Sequence, residues 1–421
     1  MAAVPARQAA SRAQRMRSEQ TQLRYDSARA VASPLLPFWT PRALSRGASA
    51  HLDLVRAVAA WAVMWGHLRT MFFVDFQHLQ RPWWLLKVIY FVTGFGHQAV
   101  IVFFVLSGFL ISSTILKSHA SGTWSWRDYA IGRCARLYVV LVPGLLMGLL
   151  WDLAGSHLFA SAGIYTHPVS DLGTGIAADN LTVGNFFGNL FYLQTIICAT
   201  FGSNGPLWSL ANEFWYYALF PVALSAGIAC SRRSWLSAIP LTALTLAICF
   251  FIGFDILIGF LIWMAGCALV FAYSRFRLRA KSGLIAYVSA SSAILAACLF
   301  TARTSDGLAL GSDLKVGIAF TLFLFGILQL EFGADSPRYL GGARYFAGFS
   351  YSLYVLHFPL LLFLRTWIVP VQRWQPNAAN GAIAFIVGVV VLSFSWCVSL
   401  FTESKTHLVR DWMRTRLSGK T

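Results

Sequence analysis

The chain has 421 residues, of which 57% are hydrophobic and only 12% charged, with a mean hydropathy of +0.62; soluble domains carry about 25% charged residues. That excludes a water-soluble fold, and repeated apolar runs of about 20 residues, each able to cross a ~30 Å hydrocarbon core as helix, define an all-α polytopic membrane protein. The formal net charge of +17 is unevenly spread, so it reads as a marker of loop orientation rather than as a nucleic-acid surface.

Residues 1–50 hold eight Arg against Glu19 and Asp26, are rich in Ala and Ser, and lack an apolar run. They read as a basic, disordered cytoplasmic tail, although an organellar transit peptide has the same composition. No cleavable secretory signal precedes the first apolar run, which can itself direct insertion. Ten spans follow, at 51–73, 89–116, 131–153, 206–229, 235–252, 256–273, 283–301, 315–331, 346–368 and 380–402. Lys117, Arg127, Arg133 and Arg136 place the loop after the second span on the same side as the basic N-terminus. From Leu137 to Ser231 there is no Lys or Arg, and the polar stretch around Asp171 and Asp179 reads as an exterior loop. Arg232 and Arg233 then mark the return inside.

The apolar segment 184–201 is the exception. If it crossed the membrane, Arg232 and Arg233 would fall outside and the later basic loop of Arg275, Arg277, Arg279 and Lys281 would invert. It therefore reads as re-entrant or interfacial, in keeping with Gly184, Asn185, Gly188 and Asn189. Both termini are then cytoplasmic: one membrane domain, 51–402, lies between the N-terminal tail and a basic tail, 403–421. The seven cysteines lie mostly within apolar runs without metal-ligand spacing, as small core residues do. No internal repeat is visible.

Ionisable residues inside such spans cost about 2.5–3.5 kcal/mol each and need a partner, a wet cavity or a function. In the first span Arg56 and His67 are eleven residues apart, about three helical turns, so they share a face about 16 Å apart along the axis. Asp53, three residues before Arg56, can pair with it, leaving His67 for work deeper in the membrane or for an interhelical hydrogen bond. Ser107–Gly108 in the second span reads either as a close-packing pair or as a serine of the site, without the nucleophile-elbow pattern. Arg133 and Arg136 share a face at the mouth of the third span and suit bidentate phosphate binding as well as orientation marking. Trp208 and Glu213 stand in an aromatic helix start, PLWSLANEFWYY, where a carboxylate suits acid/base or orienting work. His357, in FSYSLYVLHFP, is a second buried histidine and fits packing as well as support of the site.

These elements in this order, Arg56 and His67 with ten residues between, FFVLSGFLI at 103–111, Arg133-Cys-Ala-Arg136, PLWSLANEFWYY at 206–217 and FSYSLYVLHFP at 349–359, resemble the acyltransferase 3 family of membrane O-acyltransferases over residues 51–402. The resemblance implies transfer of an acyl group, commonly acetyl, from cytosolic acyl-coenzyme A to a hydroxyl of a carbohydrate, in a multi-pass protein of the bacterial inner membrane. It implies His67 as the catalytic residue and Arg133 and Arg136 as holders of coenzyme A, with Arg56 guiding the pantetheine or phosphate end. Glu213 is then expected behind His67 as an orienting carboxylate. Asp53, Ser107, Trp208 and His357 are expected to support the site or the substrate. No permanently bound cofactor, no metal and no nucleic acid are expected. Some relatives in that family carry a soluble C-terminal SGNH-type domain, which this sequence does not show. Donor and acceptor are therefore expected to meet in one membrane cavity, or the acyl group to pass to a partner protein of glycan assembly. The competing classes are a transporter or flippase of a glycan or lipid-linked precursor, which would bring inverted repeats, and a glycan polymerase or scaffold. A soluble-type glycerolipid acyltransferase is disfavoured, because His167 and Asp171 have three residues between them.

Overall fold

The computed structural model describes residues 41–166, 177–304, 310–330, 339–369 and 372–417. Apart from short 3-10 turns and two isolated bridges, its regular structure is α-helical. Most of the basic N-terminal tail and Asp171 lie outside the described residues.

Helix α1 (Arg46–Phe72) begins where the Ser45 side chain accepts from the Ala48 amide at 3.1 Å, a side-chain N-cap that satisfies one of the free first-turn donors. A short α2 (Trp84–Val92) leads into α3 (Gly96–Ala120), which returns alongside α1, and α4 (Trp126–Leu158) follows. The doubtful segment 184–201 forms an eight-residue α5 (Val183–Leu190) followed by turns, about 12 Å of helix and too short to cross. Then come α6 (Leu207–Ser231), α7 (Trp235–Arg275), α8 (Lys281–Thr304), α9 (Leu310–Leu328), α10 (Tyr339–Ala347), α11 (Ser350–Ile368), α12 (Ala378–Phe401) and α13 (Thr406–Leu417).

Eight helical segments among the described residues are long and apolar enough to cross a membrane, against ten expected spans. The difference has two physical sources. Helix α1 carries His51, Asp53, Arg56, His67 and Arg69, which lower its hydropathy, yet it runs through the core and buries Val63, Met64 and Phe72. Helix α7 holds 41 residues in one helical run, about 60 Å if straight and twice the hydrocarbon thickness. At Gly253 its backbone leaves the helical region (φ 77°, ψ 175°), a conformation open to glycine and costly for other residues. The two apolar runs expected at 235–252 and 256–273 therefore meet at that kink.

The middle of the bundle is α1, α3 and α11, with α7 packed on α3 and α6, and α4 and α12 packed on α11. Helices α3 and α7 approach through Gly108 and Gly266, where a Cβ on either glycine would strike the opposite backbone, at Trp263 and Val105 respectively. Gly108 is thus a packing residue, as small residues at membrane helix crossings are. The outer faces of the bundle are apolar, with Leu236 96% and Phe250 93% exposed, which suits lipid contact and would be a large liability in water. In the basic tail, 403–421, the described residues through Leu417 form a short 3-10 turn and α13. Arg414 Nε pairs with Asp128 Oδ1 of α4 at 3.1 Å, and Arg127 donates to the Arg414 carbonyl at 3.2 Å.

Candidate active site

Five of the residues singled out by sequence meet around one cavity of about 370 Å³: Arg56 from α1, Ser107 from α3, Arg133 and Arg136 from α4, and Glu213 from α6. Their charges are not equivalent. Arg56 Nη1 lies 3.1 Å from Asp53 Oδ1, the i,i+3 pair expected from spacing. Arg136 Nη2 donates to Glu403 Oε1 at 2.7 Å, and the other oxygen of Glu403 accepts from the Ser352 amide and hydroxyl, both at 3.0 Å. Arg133 makes no ion pair or hydrogen bond among the described residues. Its guanidinium lies over the rings of Tyr129 and Tyr217 at 6.0 and 5.8 Å, and its Nε is buried without a hydrogen-bond partner. A planar cation in that state is suited to an anionic ligand with two or more oxygens.

Glu213 accepts from the Tyr217 hydroxyl. Ser107 donates to Tyr217 Oη at 3.2 Å and accepts from Trp263 Nε1 at 3.2 Å. The Ser107 proton is therefore engaged in a network ending on Glu213, which makes Ser107 a structural hydroxyl rather than an activated nucleophile.

His67 and Trp208 line a second, larger cavity of about 730 Å³, together with His97, Asn212, Asp255 and Asp313. Three residues, Val100, Phe104 and Tyr354, line both cavities and so form the wall between them. Arg56 and His67 therefore face different spaces, in keeping with their axial separation.

The group behind His67 is His357, not Glu213: His67 Nδ1 and His357 Nε2 are 2.9 Å apart. This corrects the expectation that a carboxylate orients the imidazole, because Glu213 is engaged by Tyr217 on the other side of the wall. The proton order follows from the backbone. His357 Nδ1 lies 2.8 Å from the Tyr354 carbonyl and 3.0 Å from the Leu353 carbonyl, and a carbonyl can only accept, so Nδ1 carries the hydrogen. In a neutral ring His357 Nε2 is then an acceptor and takes the Nδ1–H of His67. His67 Nε2 is left as the lone-pair nitrogen, on a residue only partly buried and lining the cavity. His357 itself is 0% exposed, and Phe358 packs against the His67 ring in a T-shaped contact, centroids 5.0 Å apart.

Several residues of this arrangement escape sequence reading. His97 Nε2 lies 2.9 Å from both carboxylate oxygens of Asp313, and its ring stacks on Trp208 at 6.1 Å. Asp152, 1% exposed on α4, accepts from the Ser203 amide at 2.8 Å and hydroxyl at 2.7 Å. Asn204 Nδ2 donates to the Val355 carbonyl at 2.9 Å. These bonds tie the turns before α6 to α4 and α11, and so set the position of Trp208 and Glu213. A signal existed for both His97 and Asp152, each an ionisable residue within an apolar span; nothing in the sequence named Asp313 or Ser203 as their partners. Among the described residues no three His, Cys, Asp or Glu side chains converge as a metal site.

A family model described as an acyltransferase domain matches residues 49–402. Among curated proteins, the chain is 31% identical over 169 residues to "Acyltransferase MdmB" of Streptomyces mycarofaciens, covering 40% of this chain and 37% of that protein. It is 24% identical over 375 residues to "Putative peptidoglycan O-acetyltransferase YrhL" of Bacillus subtilis, covering 80% of this chain and 54% of that protein. The chain thus spans well under two thirds of the length of both relatives. No solved structure matches it. With the match running through all five motifs and across both cavities, the chain belongs to the acyltransferase 3 family.

Proposed function

We propose that this protein moves an acyl group, acetyl by preference, from acyl-coenzyme A to a hydroxyl of a cell-surface or secreted carbohydrate, with His67 as the base. The observation that carries the reading is the pair of cavities separated by one wall, arginines on one side and an imidazole lone pair on the other. Arg133 takes a phosphate of coenzyme A, and Arg56 and Arg136, each held by its own carboxylate, line the rest of that cavity. The acceptor enters beside Trp208, whose ring offers a stacking face for a sugar, and the His97–Asp313 pair and Asn212 offer hydrogen bonds. The peptidoglycan acceptor in the name of one relative supports a carbohydrate acceptor here.

In the reaction His67 Nε2 removes the acceptor hydroxyl proton as the oxygen attacks the thioester carbonyl. The carbon–sulfur bond then breaks, and the imidazolium returns its proton to the leaving thiolate. His357 acts through His67, accepting the Nδ1 hydrogen bond in both states, the part a carboxylate plays behind other catalytic histidines.

Counting α1 and the two arms of α7 as crossing helices, the reading has ten spans, which leaves both ends on one side; the basic loops assign that side to the cytoplasm, in a bacterial inner membrane. The arginine cavity then opens inward and the histidine cavity outward, and a glycan-assembly partner on the outside delivers the acceptor. Surface polysaccharide from a deletion strain complemented with wild-type or His67→Ala protein provides the test. Ester-linked acetyl is expected with the first and absent with the second at equal protein levels. Wild-type esterification by His67→Ala would overturn the assignment.

A further inference from the structure

Among the described residues, the donor and acceptor cavities share Val100, Phe104 and Tyr354 alone. An anionic donor anchored at Arg133 and a base at His67 can act on one thioester only if its carbonyl is brought to that wall. The acyl group is then the part of the donor that points into the wall, and the wall decides how much of it fits.

The three wall residues differ in freedom. The Tyr354 hydroxyl donates to the Pro206 carbonyl at 3.0 Å and lies 2.5 Å from Ser209 Oγ, so its ring is pinned. Phe104 has no polar tether. Its buried ring meets Trp208 and Tyr216 in T-shaped contacts, centroids 6.2 and 5.5 Å apart, and is otherwise held by apolar packing. Tyr216 is itself fixed by donation to the Ile256 carbonyl at 2.9 Å. Val100 stands one turn before Phe104 on the same face of α3, where i,i+4 side chains meet.

We propose that Phe104, backed by Val100, is the acyl-length determinant of this protein: its ring occupies the space that the third and later carbons of a longer acyl chain would need, and so restricts the donor to short acyl thioesters. The proposal rests on the acyl-transfer reading given above. Discrimination of this kind is steric, and one methylene in such a slot is worth roughly 10- to 200-fold in rate.

Membranes containing the wild type, Phe104→Ala or Val100→Ala are supplied with acetyl-, butyryl- or hexanoyl-coenzyme A, and thiol release is followed after subtracting release by membranes lacking the protein. The hexanoyl-to-acetyl rate ratio is expected to rise at least about 10-fold in Phe104→Ala. A smaller rise is expected in Val100→Ala, which opens the same wall by less and decides the matter if the first variant fails to accumulate. An unchanged ratio in the accumulating variant, with acetyl release still present, overturns the length assignment and leaves the acyl-transfer reading standing. Absence of protein-dependent release from every donor in the wild type would remove that reading and this proposal together.

Discussion

Replacing His357 tests whether the two histidines work in series or side by side. In His357→Phe the ring volume is roughly kept, but nothing accepts the His67 Nδ1 hydrogen that now meets His357 Nε2 at 2.9 Å. An unpaired buried donor costs about 1–3 kcal/mol, and His67 avoids that cost by moving its hydrogen to Nε2, the nitrogen the reaction needs bare. Restoring the productive tautomer takes back the same 1–3 kcal/mol, which at 1.36 kcal/mol per tenfold lowers the rate by roughly 5- to 160-fold. His67→Ala, which removes the base itself, should lose about 10²–10⁴. His357→Gln returns a carbonyl acceptor to the same neighbourhood and is expected to recover most of the activity. Thiol release from acetyl-coenzyme A, normalised to the amount of each variant in the membrane, reads all four proteins. Equal rates for His357→Phe and wild type would refute the series arrangement, and a loss far beyond about 160-fold would exceed what a tautomer shift costs and refute it as the account of His357.

The two arginines at the start of α4 should separate in experiment. Arg133→Ala removes the unpaired cation and is expected to raise the acyl-coenzyme A KM about 10- to 150-fold, one charged hydrogen bond being worth about 1.5–3 kcal/mol, with little change in stability. Arg136→Ala strands Glu403, and it should lower thermal stability in detergent by about 1–2 kcal/mol, below the 3–5 typical of a fully buried pair because 37% of the arginine side chain is accessible. Glu403→Gln should show a similar stability loss while leaving Arg133-dependent donor binding in place. Asp152→Ala removes the acceptor of both Ser203 hydrogen bonds. It is expected to lower the unfolding midpoint and to expose the turns before α6 to protease, and unaltered cleavage would argue against the tether.

What sequence could reveal here follows from what is local. The Asp53–Arg56 pair and the shared face of Arg133 and Arg136 depend on spacing within one element, and their geometry is as the spacing implies; the segment at 184–201 is read from the charges of the loops that follow it, and its helix is too short to cross. Cavity membership is not local. His67 and His357 are 290 positions apart, and although the resemblance marks both for the site, nothing in the sequence marks them for each other. Glu403 was hidden for another reason: it opens a stretch whose composition is basic and tail-like, while its function is set by Arg136 and Ser352 in elements far upstream. Gly253 was hidden because two apolar runs with a glycine between them read alike whether joined by a loop or by a kink.

The ion pair between Arg136 and Glu403 also carries a consequence for how the protein is made. Arg136 enters the bilayer region with the nascent α4, whereas its carboxylate is 267 residues further along and leaves the ribosome only after α12. Until then that guanidinium lacks the carboxylate that pairs with it in the finished protein. The arginine cavity reaches its finished charge state only when the stretch after α12 folds back against α4, so a late-made element completes a site most of whose walls are built much earlier.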